Sequence, residues 1–291
     1  MLAGVSLIWG ASYLLIKVAL DGITAEMIVF ARVALAAALL YIVIVLRGGS
    51  DREALSVLRE HPGRCLVQGL VSVALPFSLI SLGETQISSG LTGVLISPGP
   101  LFVALLAPFV DRSEQVGRRA GIGLLIGFAG VVVLVGLDAV STTGEFFGAL
   151  AVLGAAASYG VGAMYAKLKF AGVPPLVVSF AACLTAAAWT AVPAFASAGR
   201  ISPDAGEIAA VVCLGVAGTA LAFVLYYSLI AETGAGRASL VGYLIPPIAL
   251  AYGALLLDEQ ITAASIVGLV MILSGVVLAG GEREVEGQAP T

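Results

Sequence analysis

Residues 100–111 read PLFVALLAPFVD, and residues 247–258 read PIALAYGALLLD. A proline opens each stretch, an aspartate closes it, and the spacing is eleven in both. EQV follows at 114–116 and EQI at 259–261. Beyond them GLLIGFAGVVVLVG at 123–136 faces GLVMILSGVVLAGG at 268–281, so that Gly123 and Gly130 match Gly268 and Gly275. Upstream, Ala11-Ser12-Tyr13 matches Ala157-Ser158-Tyr159, and Phe30-Ala31 matches Phe180-Ala181. The offset stays between 145 and 150 throughout. Apolar sequence of low complexity produces scattered matches, but not a near-constant offset over a whole chain. The polypeptide reads as a duplication.

Each copy is far too apolar for water. The 291 residues are 60% hydrophobic and 11% charged, with a mean hydropathy of +1.08. An ordinary soluble domain carries about 25% charged residues, so a soluble enzyme, a disordered chain and a nucleic-acid binder are excluded. The net charge of −4 is too small to indicate a partner. Barrel strands in membranes alternate apolar and polar over about ten residues. The runs here are about twenty long, which is what one helix needs to cross ~30 Å of hydrocarbon.

Charges and turn residues mark ten such runs, at 2–20, 25–46, 65–83, 88–109, 119–137, 147–168, 175–195, 208–230, 237–257 and 262–280. The expected fold is an all-α polytopic membrane protein of ten transmembrane helices. The first five-helix repeat covers 1–137, a connecting loop 138–146, the second repeat 147–280, and a polar tail 281–291. The first run lacks the basic flank and small-residue cleavage site of a signal peptide and has a counterpart in the second copy. The polar stretch 47–64 has room for a surface helix.

Lysine and arginine set the orientation. With the N-terminus inside, eleven of the fourteen basic residues fall in cytoplasmic loops, among them Arg47, Arg112, Arg118, Lys167 and Arg237. Arg200 alone falls outside, and Lys17 and Arg32 lie within spans. Both termini are therefore expected in the cytoplasm. Five is odd, so the second copy enters the membrane inverted. Inverted repeats are a mark of alternating-access carriers, whose substrate site lies near the midplane between the copies.

Certain stretches also resemble a known family. They are Trp9-Gly10, Arg32, Pro98 and Pro100, Glu114 with its glycine-rich tail, CLGVAGTALAFVLYYSLIAETGAGRASL at 213–240, Pro246-Pro247, and LLLDEQI with Glu259. The chain is similar in these to the EamA family of the drug/metabolite transporter superfamily. The resemblance covers nearly the whole chain and is strongest at 213–280. It implies a ten-helix carrier that exports amino acids or other metabolites, with relatives that move nucleotide-sugars and sugar phosphates. One departure is Asp111-Arg112-Ser113-Glu114, two residues longer than its Asp258-Glu259 counterpart.

Span centres give the candidate substrate-binding residues: Trp9, Ser12, Tyr13, Arg32, Ser78, Ser97, Ser158, Tyr159, Thr219 and Tyr243. A phenol or indole at that depth needs a hydrogen-bond partner or a wet cavity, so Trp9, Tyr13, Tyr159 and Tyr243 either line a pathway or pack between helices. Pro98, Pro100, Pro246 and Pro247 interrupt two spans at equivalent places. Each removes a backbone donor, giving a simple kink or a flexible cavity wall and gate. Arg32 lies ~12 Å into the second span and needs a partner there: Glu84, Glu26 or a substrate carboxylate. Lys17 is expected to snorkel to the surface.

Absences narrow the chemistry. Carboxylates fall at span ends and in loops, including Glu84, Glu232, Asp258 and Glu259, which predicts no obligatory buried proton site and a facilitator or exchanger. With two intramembrane cations and no central carboxylate, phosphorylated and cationic substrates fit poorly, and a zwitterionic or neutral metabolite fits best. No metal-ligand, nucleophile or paired-aspartate motif is present, so neither cofactor nor catalysis is expected, and no channel filter is legible. Cys65, Cys183 and Cys213 read as buried small hydrophobes. Small-residue faces on spans 5 and 10 suggest a peripheral scaffold. The expected unit is a monomer, with a dimer left open, in a cell membrane of the bacterial inner-membrane type.

Overall fold

In hydrocarbon, long apolar runs can satisfy their backbone internally only as helices. The computed structural model of the chain is helical accordingly, and no strand occurs among the residues it describes, 1–110, 118–136, 141–233, 238 and 240–280. The helices are α1 (Leu2–Ala19), α2 (Ala25–Leu46), α3 (Asp51–Glu60), α4 (Pro62–Glu84), α5 (Ser89–Ile96), α6 (Gly99–Val110), α7 (Arg118–Gly136), α8 (Thr143–Lys169), α9 (Pro175–Ser197), α10 (Ala205–Thr233), α11 (Val241–Leu256) and α12 (Ala263–Gly280). Seven stretches are long and apolar enough to cross a membrane, and the shorter apolar helices Val241–Leu256 and Ala263–Ala279 add two more. Large apolar side chains point outward along them, with Leu125, Val192 and Leu255 each more than 70% exposed. Such a surface is stable only against lipid. The expected tail at 281–291 and the segment holding Arg112 and Glu114 lie outside the described residues.

Local chemistry sets several boundaries. α8 starts at Thr143, earlier than the expected 147, because Thr142 and Glu145 form a capping box. Asp204 and Glu207 do the same for α10. These reciprocal bonds satisfy backbone donors that the first turn leaves open. Ser88 accepts from the Leu91 amide at the start of α5. The polar stretch after α2 does form a helix, α3, which buries Ala54 and Val57 against Ala36, Leu40 and Ile44.

The two halves interlock. α1 packs on α11, and its repeat counterpart α8 packs on α6; α1 also packs on α10 where α8 packs on α4. α2 lies along α9, and α7 along α12. Between lipid-solvated helices, close packing rather than the hydrophobic effect supplies the adhesion. Small residues make it available here. A Cβ added at Gly123 would fall 2.6 Å from both the Ala279 nitrogen and the Gly275 oxygen. One added at Gly275 would fall 2.5 Å from the Gly123 oxygen.

α4 and α10 share a feature absent from the sequence-based expectation. Leu70–Ala74 and Val216–Leu221 are wound as π-helix, at positions the repeat offset makes equivalent. In α4, Pro76 has no N–H for the Ser72 carbonyl, which loosens the ladder. In α10 the Thr219 hydroxyl donates to the Leu214 carbonyl at 2.9 Å, diverting an acceptor. Each wide turn is met from the other half. Ser158 on α8 donates to the Val71 carbonyl at 2.7 Å, and Ser12 on α1 stands beside Gly218. Ser12 and Ser158 are themselves a repeat pair.

Candidate functional site

A cavity of about 440 Å³ opens between the halves. One wall is the break between α5 and α6, with Ile96, Ser97, Gly99, Pro100, Val103 and Ala104; α8 gives Tyr159, Gly160 and Ala163; α11 gives Gly242, Tyr243, Ile245 and Pro246; α12 gives Leu273, Val276 and Ala279. Among the described residues no charged side chain lines it. Its polar groups are the Tyr159 and Tyr243 phenols, the Ser97 hydroxyl and backbone carbonyls.

The prolines supply those carbonyls. Pro100 has no N–H to offer the carbonyl of Ile96, and Pro246 and Pro247 have none for Gly242 and Tyr243. All three acceptor residues border the cavity. The two halves differ in form, however. Around Pro98 the helix stops at Ile96 and restarts at Gly99, and the Val94 carbonyl turns to the Ser97 amide at 3.1 Å and hydroxyl at 2.5 Å. Pro246 and Pro247 remain inside a continuous α11. Pro98 is buried and Pro247 faces outward, so of the four prolines only Pro100 and Pro246 reach the cavity.

Of the sequence-derived candidates, Ser97, Tyr159, Tyr243, Pro100 and Pro246 converge on this space. The others lie elsewhere. Trp9 packs into an aromatic cluster with Tyr226 and Phe223, at centroid distances of 5.0 and 6.4 Å. Tyr13 is buried between α1 and α5, against Gly93. Ser12 donates to its own helix at Ile8, Ser158 is committed to Val71, and Ser78 is half-buried on α4 away from the cavity.

Arg32 and Thr219 form a second, fully enclosed polar layer. Arg32 Nε donates to Thr219 Oγ1 at 2.8 Å, and its Nη2 donates to the Gly218 carbonyl at 3.4 Å. Its guanidinium lies 4.1 Å from the centre of the Phe77 ring, which meets Tyr159 edge-on at 6.5 Å. The partner is thus the π turn of α10 and an aromatic face, not Glu84 or Glu26. Glu26 instead faces Arg200 at 3.8 Å. A π turn widens the helix and lets Arg32 reach both Thr219 and a main-chain oxygen.

Three other expectations are corrected. Lys17 does not snorkel: its Nζ donates to the carbonyls of Glu84 at 2.7 Å and Ile87 at 2.9 Å, because the α4–α5 hairpin folds over the end of α1. Glu84 does end its helix, yet it is 0% exposed, and neither carboxylate oxygen has a hydrogen-bond partner. Cys213 is exposed on the apolar surface rather than buried. The scaffold reading of span 10 was incomplete as well, since α12 forms one cavity wall; its aliphatic contributors carry no chemical signal in the sequence. Glu259, in the DEQ motif, is a cap: its carboxylate accepts from the Ser89 amide at 2.7 Å and the Gly90 amide at 2.8 Å, where the helix dipole favours an anion. Among the described residues no group of His, Cys, Asp or Glu is placed to hold a metal ion.

Taken together, the apolar helical surface, the interlocked repeats and the proline-bordered cavity between them define a multi-pass membrane protein of the two-repeat type. The EamA-like transporter family model matches residues 1–136 and again 146–281, and the chain belongs to that family. It is 25% identical over 277 residues to the uncharacterized transporter YoaV of Bacillus subtilis, covering 94% of this chain and 93% of that one. An uncharacterized transporter of Archaeoglobus fulgidus is 24% identical, covering 94% and 95%. The uncharacterized inner membrane transporter YedA of Escherichia coli is 25% identical, covering 94% and 87%. A crystal structure of a protein 22% identical in sequence superposes with a TM-score of 0.69 over 98% of this chain and 97% of the other, and so shares its fold.

Proposed function

We propose that this chain is a secondary transporter that exports small zwitterionic or neutral metabolites, foremost amino acids, by alternating access. In this reading ten helices cross a bacterial inner membrane as two inverted five-helix copies, with both termini in the cytoplasm. The cavity between α5–α6, α8, α11 and α12 is the substrate site, seen from the side where the basic loops lie.

The observation that carries the reading is a space of about 440 Å³ bordered, among the described residues, by no charged side chain but by two tyrosines, one serine and three residues whose carbonyls a proline leaves without an N–H. Ligand sites of this kind are mostly apolar with a few placed polar groups. An ammonium group finds acceptors in the carbonyls of Ile96, Gly242 and Tyr243. A carboxylate finds donors in the Tyr159 and Tyr243 phenols, with the Arg32 charge one aromatic ring away. The α12 wall of Leu273, Val276 and Ala279 suits an apolar side chain. A phosphate would want several cations at hydrogen-bond distance, and none lines the cavity.

Counterflow in proteoliposomes tests this. Vesicles loaded with unlabelled amino acid should take up the labelled one saturably, and Tyr159→Ala and Tyr243→Ala should each reduce that uptake roughly tenfold, the loss of one good hydrogen bond and its ring contact. Failure of every amino acid, with robust counterflow of sugar phosphates or of lipophilic drugs, would overturn the substrate class. Conductance at channel rates would overturn the carrier.

A further inference from the structure

We propose that Glu84 is a proton-binding site, occupied in the conformation seen here and emptied when α1 separates from the α4–α5 hairpin. The inference deepens the carrier reading by naming its coupling ion, and replaces the expectation of a carrier without a buried proton site.

The surroundings of Glu84 disfavour a bare carboxylate. Its side chain is 0% exposed, and among the described residues both carboxylate oxygens lack a donor. The charged groups that face it make their hydrogen bonds elsewhere. From α1, Lys17 brings a positive charge near the carboxyl group but spends two of its three N–H donors on the main-chain oxygens of Glu84 and Ile87. From α2, Arg32 is bound to Thr219 and Gly218. From the segment after α11, the Glu259 carboxylate accepts the Ser89 and Gly90 amides and adds a second negative charge beside Glu84. The remaining titratable neighbour is the Tyr13 phenol on α1. α5 carries Ser89 and Gly90, and α8 packs Gly148 and Val152 against the adjoining Gly83; none of these titrates. A carboxylate cannot stay ionised in so dry a place without donors, and takes up a proton instead. A metal ion would need a cage of oxygens, but the two nearest carbonyls already hold an ammonium group and the neighbouring carboxylate already holds two amides.

The same contacts show how the proton leaves. Lys17 is the clasp between α1 and the hairpin. Moving α1 away breaks both of its bonds, carries the ammonium off and admits water to the carboxyl group. The O–H bond of Glu84 breaks, the proton passes to the entering water, and the carboxylate left behind is solvated by that water. One conformation therefore carries a proton that the other releases, the condition for coupling transport to a pH gradient.

Infrared spectroscopy of the reconstituted protein reads the site without any substrate. Titrated from about pH 5 to about pH 9, the wild type should show the carbonyl stretch of a buried protonated carboxyl persisting above neutral pH. Glu84→Gln should lack that band, Glu84→Asp should keep it at a shifted frequency, and Glu60→Gln should leave it unchanged. A band indifferent to Glu84→Gln, or no protonated band in the wild type, overturns the proposal. So does a Glu84→Asp protein that folds but shows no shift, which covers the case in which the glutamine variant fails to fold. In vesicles holding a trapped pH dye, net amino-acid flux down its own gradient should move protons, and Glu84→Gln should cut that proton movement roughly tenfold or more while counterflow exchange continues. Net amino-acid flux without proton movement in the wild type sinks the coupling and spares the carrier. If no amino acid is carried, the substrate assignment falls, and the infrared band still decides the fate of the proton site.

Discussion

Arg32 shows how much one buried side chain organises. Its Nε reaches Thr219, its Nη2 reaches Gly218, and its guanidinium plane covers Phe77. An ammonium group has neither the fork nor the flat face, so Arg32→Lys should lower stability by about 2–3 kcal/mol, as loss of a hydrogen-bonded buried charge partner does. Thr219→Val should cost about 1–2 kcal/mol, and the double variant should cost less than the two summed, because both remove one network. Thermal denaturation in a single detergent checks all three, and strict additivity would refute the network. That Arg32 needs an enclosed partner was legible in the sequence; which partner was not. The span count offered Glu84, Glu26 or a substrate carboxylate, while the actual acceptor depends on a π turn that no hydropathy pattern encodes. Trp9 and Tyr13 lie on α1 as expected, yet they turn to Tyr226 and Gly93 rather than the cavity. Depth follows from counting residues along a span, and facing direction follows from neighbours in the other half. Glu259 makes the complementary case. A negative charge bound to the first amides of α5 is worth about 1–2 kcal/mol, so Glu259→Gln should lower the melting temperature modestly, and an unchanged melting temperature would mean that the cap is replaced by water.

At the scale of the element, glycine separates contact from mere flexibility. Gly275 and Gly123 lie at the α7–α12 contact, whereas a Cβ at Gly121, on the same α7, would meet nothing within 4 Å. Gly275→Ala should therefore destabilise by about 1–3 kcal/mol through overpacking against backbone that cannot yield. Gly121→Ala should stabilise by about 0.5–1 kcal/mol through helix propensity alone. Opposite signs in one thermal series confirm the assignment, and equal effects would deny the close approach. The element positions themselves were largely legible, since the runs at 25–46 and 175–195 became Ala25–Leu46 and Pro175–Ser197. Where helix ends shifted, capping chemistry moved them, as Thr142 and Glu145 did for α8. Paired prolines signalled an interruption in both halves, but only the Pro98 region broke its helix. There the Ser97 amide and hydroxyl take over the Val94 carbonyl, and α11 has no serine at the corresponding place, where Leu244 stands.

Across the whole molecule, the near-constant offset between the halves was the most informative property of the sequence, because contacts made by one copy recur in the other. α1 against α11 implies α8 against α6, and both contacts are present. It also implies that two wide turns and two serines recur in pairs, as they do at 70–74 and 216–221, and at Ser12 and Ser158. The proposed inversion of one copy relative to the other in the bilayer carries a separate consequence for labelling. Arg47, at the end of α2, and Lys169, at the end of α8, lie on the same side of the membrane only if an odd number of crossings makes up each repeat. Arg200 follows α9 and must then lie on the opposite face. With Cys65, Cys183 and Cys213 replaced by alanine, single cysteines at 47 and 169 should react with a membrane-impermeant maleimide only in inverted vesicles, and one at 200 only in intact cells. The Lys17 clasp and Glu84 lie at the same ends of α1 and α4 as Arg200 lies of α9, so this pattern would set the proton site on the outer face and the cavity on the inner. Cysteines 47 and 169 reacting from opposite sides would remove the inverted repeat, and with it the argument that two packings of one sequence motif open the cavity alternately.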